Sequence, residues 1–183
     1  MRRHLFSIAA ALGALALPAA SHAELPVGAT APEFATQGAL AGKAFAFNLD
    51  KALGKGPVVL YFYPKAFTQG CTLEAHAFAE AGDEFAAAGA TVVGMSADDL
   101  PTLKRFSTEE CRDKFAVAIA TPAIIEAYDV ALKREGLPAG LTDRTSYVIG
   151  TDGKIAFVHS DLNYKDHVSL TLAAVRKLRD SSH

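Results

Sequence analysis

The chain has 183 residues, half of them apolar and 21% charged, with 18 Lys and Arg set against 20 Asp and Glu for a net charge of −2. That length supports one folded domain with a sizeable core, and the slight acidity, with no basic stripe or repeat, argues against nucleic acid or an anionic membrane as a partner. Only two cysteines are present, Cys71 and Cys111.

The first 23 residues read as a secretory signal peptide. They begin Met-Arg-Arg-His, continue through the apolar run Leu5 to Leu17, and end Ser21-His-Ala23 ahead of Glu24. The apolar stretch is too short to span a bilayer, and small residues sit where a signal peptidase needs them. Cleavage would leave residues 24–183 as a single domain with a net charge of −4, since Arg2 and Arg3 go with the leader; it would be periplasmic or secreted and free of the membrane.

Residues 24–56 are rich in Gly, Ala and Pro, with Ala31-Pro-Glu-Phe34 and Phe45-Ala-Phe-Asn48 as short edge strands; Pro32 keeps the first out of a sheet centre. Pro57 to Tyr63 is a continuous apolar run with β-branched and aromatic residues, suited to a strand buried on both faces. Pro64 ends it. From Cys71 the apolar positions Ala75, Phe78, Gly82 and Phe85 fall three or four apart, which predicts a helix to about Ala88 with Gly89 as its stop.

Thr91 to Ser96 reads as a second buried strand. Asp98 or Asp99 caps the next helix, Pro101 lies in its first turn, and Leu100, Leu103 and Phe106 line its buried face. Ser107-Thr-Glu-Glu110 has the pattern of a second capping box, so a break or restart is expected just before Cys111. Phe115 to Ile119 follows as a strand, and Pro122 opens a short helix through Tyr128. Two further strands, Thr145 to Ile149 and Ile155 to His159, are joined by Thr151-Asp-Gly-Lys154, a hairpin signal. The last helix runs from about Lys165 to Arg179. Strands alternating with helices, then a hairpin and a closing helix, predict a thioredoxin-like three-layer α/β/α sandwich with a mixed central sheet.

Two cysteines in an exported chain would ordinarily make a structural disulfide. Cys71, however, falls in the first turn of its helix, where unpaired backbone N–H groups and the helix dipole favour a thiolate, the nucleophilic form.

Pro64-Lys-Ala-Phe-Thr-Gln-Gly-Cys71 resembles the Pro-x-x-x-Thr-x-x-Cys signature of peroxiredoxins, and Cys71-Thr-Leu-Glu74 extends the match. Ala31-Pro-Glu-Phe34 and Arg144-Thr-Ser-Tyr-Val-Ile149 add two pieces in the order of the bacterioferritin comigratory protein, or peroxiredoxin Q, subgroup. The resemblance implies peroxide reduction by a cysteine thiolate without metal, haem or flavin. Cys71 would attack the peroxide and become a sulfenic acid. Thr68 would place a hydroxyl against the peroxide, Arg144 would donate hydrogen bonds to thiolate and leaving oxygen, Pro64 would shield the site, and Glu74 would orient Arg144.

The chain departs from the commonest pattern of that subgroup at position 76, where His replaces a second cysteine. Five residues along a helix turn through about 140°, so His76 is expected to face solvent, away from Cys71. The remaining candidate for resolving the sulfenic acid is Cys111, in the later helix that some members of the subgroup use. A bridge needs Cα atoms within about 7 Å, so more distant cysteines require local opening. A thioredoxin-like protein would then reduce the disulfide, and the subgroup suggests a monomer. A thiol–disulfide oxidoreductase shares fold and compartment but needs the Cys-x-x-Cys that is missing here. A copper-binding protein would need a Cys-x-x-x-Cys and a histidine partner, which this chain lacks.

Overall fold

The computed structural model describes residues 24–181. The expected signal peptide, residues 1–23, lies outside them. Seven strands, β1 (Ala35–Leu40), β2 (Lys43–Asn48), β3 (Val58–Phe62), β4 (Thr91–Ser96), β5 (Ala116–Ile119), β6 (Thr145–Ile149) and β7 (Ile155–Ser160), form one mixed sheet in the order β2-β1-β5-β4-β3-β6-β7. β3, β4 and β5 are parallel neighbours, and the outer pairings are antiparallel.

Because strand side chains alternate between faces, β3 feeds two cores. Val59 and Tyr61 point to one, with α2 (Gln69–Glu80), α3 (Gly82–Ala87), α4 (Leu100–Glu109) and α6 (His167–Ser181). Val58, Leu60 and Phe62 point to the other, with α1 (Leu49–Leu53) and α5 (Pro122–Ala127). The result is the expected three-layer thioredoxin-like α/β sandwich. The aromatic run of β3 also builds the floor of the Cys71 helix: the Tyr61 ring stacks on Phe78 of α2 at 4.3 Å.

Several local expectations shift. Ala31–Phe34 is not a strand: the Ala31 amide bonds Gly153 O beside the β6–β7 hairpin, and β1 begins one residue later at Ala35. The helix expected to run to Ala88 divides at Ala81, with Gly82, a poor helix former, opening α3 and Asp83 and Glu84 favouring a new N-terminus. Asp99, not Asp98, caps α4 through the Thr102 amide at 2.9 Å. Ser107-Thr-Glu-Glu110 caps nothing: α4 runs through it to Glu109. Ser107 Oγ donates to Lys104 O at 2.8 Å and accepts from the Gly42 amide at 3.0 Å, tying α4 to the β1–β2 turn. Helix α1 was unforeseen; Asn48 caps it by accepting from the Lys51 amide at 2.8 Å.

Candidate active site

Cys71 is the third residue of α2, whose N-cap is Thr68. The chain reaches it from β3 through Pro64 and a turn in which Phe67 adopts φ 62°, a left-handed conformation that is strained for a bulky residue. Packing holds it there. The Phe67 ring meets Phe106 edge-on at 5.2 Å, and the Arg105 guanidinium lies 5.0 Å above it. From the loop side, Asp98 accepts from the Ala66 amide and from Ser96 Oγ, both at 2.8 Å.

Arg144, just before β6, lies on the far side of Cys71. Each of its three guanidinium nitrogens makes a contact: Nη2 donates to Cys71 Sγ at 3.5 Å, Nη1 donates to Glu74 Oε2, and Nε donates to Leu162 O at 2.9 Å. Cys71, Glu74 and Arg144 are 2%, 0% and 5% exposed. Thr68 Oγ1 donates to Lys65 O at 2.9 Å, which leaves its lone pairs able to accept. Pro64 is half-buried at the start of the turn. The six residues singled out in the sequence divide accordingly: Arg144 contacts both Cys71 and Glu74, Thr68 and Pro64 flank the same turn, and Cys111 shares the core with Cys71 but none of these hydrogen bonds.

Cys111 follows α4 and is fully buried in the core that also holds Cys71; both are free thiols. Burial, then Glu110 and Asp113, push the Cys111 thiol far above its ordinary value, so it is no nucleophile where it sits. The Tyr61 phenol lies within electrostatic reach of both sulfurs, raised first by burial and then by Cys111 and, less strongly, Cys71. Immediately after Cys111, Arg112 and Asp113 adopt φ 52° and 59°, two consecutive left-handed residues.

Burial raises Glu74 to about 8 against the opposing pull of Arg144. For Arg144 burial acts downward, but Glu74 and Cys71 outweigh it and the guanidinium is raised. Behind Glu74 stands His167, the first residue of α6, 0% exposed and lowered by burial to about 4. Sequence reasoning gave it no role, since only the docking of α6 on α2 brings it there. His76 refines a second expectation: its side chain is 30% exposed, and it meets Glu110 at 2.7 Å, one residue before Cys111.

A buried cysteine in a helix's first turn, backed by arginine on a thioredoxin-like sheet, defines a thiol-based oxidoreductase site. The chain belongs to the AhpC/TSA family, which matches residues 27–158. A Mycobacterium tuberculosis peroxiredoxin is 35% identical over 139 residues, 72% of this chain and 86% of that relative. Peroxiredoxin Bcp of Escherichia coli is 32% identical over 117 residues, 63% of this chain and 75% of its own length. The crystal structure of peroxidoxin BcpB from Mycobacterium tuberculosis superposes with a TM-score of 0.73 at 31% identity, over 83% of this chain and 97% of that one. The protein is accordingly a thiol-dependent peroxidase of the peroxiredoxin type.

Proposed function

We propose that Cys71 is the peroxide-reacting thiolate and Cys111 the thiol that resolves it. The observation that carries this reading is the Arg144 Nη2 contact to Cys71 Sγ at 3.5 Å, inside a helix turn that supplies further N–H donors. The thiolate attacks the terminal peroxide oxygen; the S–O bond forms as the O–O bond breaks. The products are Cys71 sulfenic acid and an alkoxide or hydroxide, which takes a proton from solvent. Arg144 stabilises charge on thiolate and leaving oxygen, Thr68 accepts from the peroxide O–H, Pro64 shields the turn, and Glu74 aligns Arg144.

Cys111 then displaces hydroxyl from the Cys71 sulfur, giving a disulfide and water. Its burial requires the turn after α4 to leave the core first. A thioredoxin-like protein returns the disulfide to two thiols. The protein works as a monomer on hydrogen peroxide and organic hydroperoxides, outside the cytoplasm; the cationic, apolar and small-residue order of residues 1–23 supports export.

Peroxide consumption by cysteine variants tests the scheme. Cys71→Ser should abolish it. Cys111→Ser should react once, stop and over-oxidise at Cys71, and the wild type should lose two hydrogens by mass spectrometry after one equivalent of peroxide. Full multiple turnover by Cys111→Ser with a thioredoxin-like reductant would overturn the role given to Cys111.

A further inference from the structure

We propose that Glu74 is held as a neutral carboxylic acid, and that His167, a neutral ring that turns no N–H donor toward Glu74 Oε1, is thereby a positioning residue that keeps the charge of Arg144 directed at Cys71. The inference rests on the reading of Cys71 as the reacting thiolate and goes beyond it by assigning a proton and a further residue.

The two oxygens of Glu74 have different surroundings. Oε2 accepts from Arg144, whereas Oε1 is buried with no hydrogen-bond partner among the described residues. An ionised oxygen without a donor in a buried site costs more than a neutral hydroxyl there. His167 Nδ1 lies 3.8 Å from Oε1, wider than a hydrogen bond.

The tautomer of His167 follows from its other partners. Nε2 lies 2.9 Å from the Asp161 carbonyl, which can only accept, so Nε2 carries a hydrogen. Nδ1 lies 2.8 Å from Ser146 Oγ, which can donate to it. Ser146 thus takes the one Nδ1 lone pair, and the neutral ring offers Glu74 no N–H donor. The groups facing this pair from neighbouring elements favour the same state. Arg144 before β6 and the His159 ring of β7, 4.6 Å from His167, both disfavour a cationic imidazole, while Asp161 acts the other way. For Glu74, burial outweighs Arg144, and Tyr61 of β3 and Cys71 of its own helix bring no positive charge.

The chemical consequence concerns net charge in a closed site. With Glu74 neutral, Arg144 and the Cys71 thiolate compensate one another. With Glu74 ionised, two anions share one guanidinium, and less positive charge is left for the developing charge of the reaction.

The test is stopped-flow oxidation of the reduced protein by hydrogen peroxide across pH 6–9, alongside spectra that do not depend on turnover. In the wild type the rate should fall as pH rises through about 8, where Glu74 loses its proton. Glu74→Gln, which fixes the neutral state, should remove that fall. His167→Gln offers an amide donor to the carboxylate, so the fall should move down by about one unit, a loss of roughly fivefold in rate at pH 8 relative to wild type. A fall at the same pH in His167→Gln, or its persistence in Glu74→Gln, would overturn the proposal. Infrared spectra at pH 7 should contain a protonated-carboxyl stretch that Glu74→Gln removes, and ¹⁵N NMR should show His167 as the Nε2–H tautomer; a missing band or an imidazolium would sink the idea even if a variant failed to fold. Peroxide consumption by Cys71→Ser would instead refute the Cys71 reading, and the spectra would still decide the protonation of Glu74.

Discussion

Arg144 is the residue on which the site converges, because one planar side chain contacts a sulfur, a carboxyl and a backbone carbonyl at once. A lysine has a single flexible ammonium and cannot reproduce that fork. Arg144→Lys should therefore behave nearly like Arg144→Ala, each slowing Cys71 oxidation by about 10²-fold, the scale for losing one aimed donor to developing charge. Single-turnover stopped flow checks this, and rates near wild type in the lysine variant would show that charge alone suffices. The members of this site were legible in the sequence to different degrees. Cys71, Thr68, Pro64 and Glu74 fall within one strand–turn–helix passage, where local pattern carries the information. Arg144 lies 70 residues beyond Glu74 and was reachable through the peroxiredoxin resemblance. His167 had no such signal, since its place near Glu74 depends on how the last helix docks.

At the level of elements, α2 and α3 present one face to the turn around Cys111. His76, Glu80 and Asp83, spaced four and three apart, meet Glu110 at 2.7 Å, Arg112 at 3.2 Å and Lys114 at 3.6 Å. The outer two pairs are exposed and each is worth only about 0.2–1 kcal/mol, yet they act on a turn that already holds two left-handed residues, Arg112 and Asp113. On the proposed cycle that turn must open, so the double variant His76→Ala/Glu80→Ala should form the Cys71–Cys111 disulfide roughly two- to fivefold faster. Quench-flow alkylation with mass spectrometry would measure it; an unchanged rate would mean that the pairs do not restrain the turn. Local pattern misleads at this turn for a physical reason. Ser107-Thr-Glu-Glu110 has the same letters whether the Ser hydroxyl begins a helix or, as found, bonds back to Lys104 O within one. The division of α2 from α3 at Ala81 was equally hidden, because the apolar spacing runs on across it.

Over the whole molecule, the order of strands and helices along the chain was readable from hydrophobic period and turn residues. The spatial order was not: nothing in β1 announces that it pairs with the distant β5, Gly38 opposite Ala118 and Ala39 opposite Val117, rather than with β3. The buried Glu74–His167 pair also gives the fold a dependence on pH. His167 is lowered to about 4, so the unfolded chain takes up a proton that the folded one refuses, and stability is lost as pH falls from about 6.5 toward 4. Glu74 is raised to about 8, so the folded chain keeps a proton that the unfolded one releases, and stability declines as pH rises from about 4.5 toward 8. The two trends oppose below 6.5 and only the decline remains above it. Urea unfolding of Cys71→Ser should show a loss of about 1–2 kcal/mol between roughly pH 6.5 and 8, absent when Glu74→Gln is added. An equal loss in both proteins would assign it elsewhere.

The complete burial of Cys111 bears finally on timing. On the proposed cycle, a thiol that must leave a packed core cannot meet the Cys71 sulfenic acid at the pace of sulfur chemistry; it arrives at the pace of a backbone motion. The waiting time of the oxidised state is then set by the protein itself, through the turn after α4. During that wait, a second peroxide competes for the same sulfur, so the rate of one turn's opening fixes the peroxide concentration above which the enzyme oxidises itself out of service.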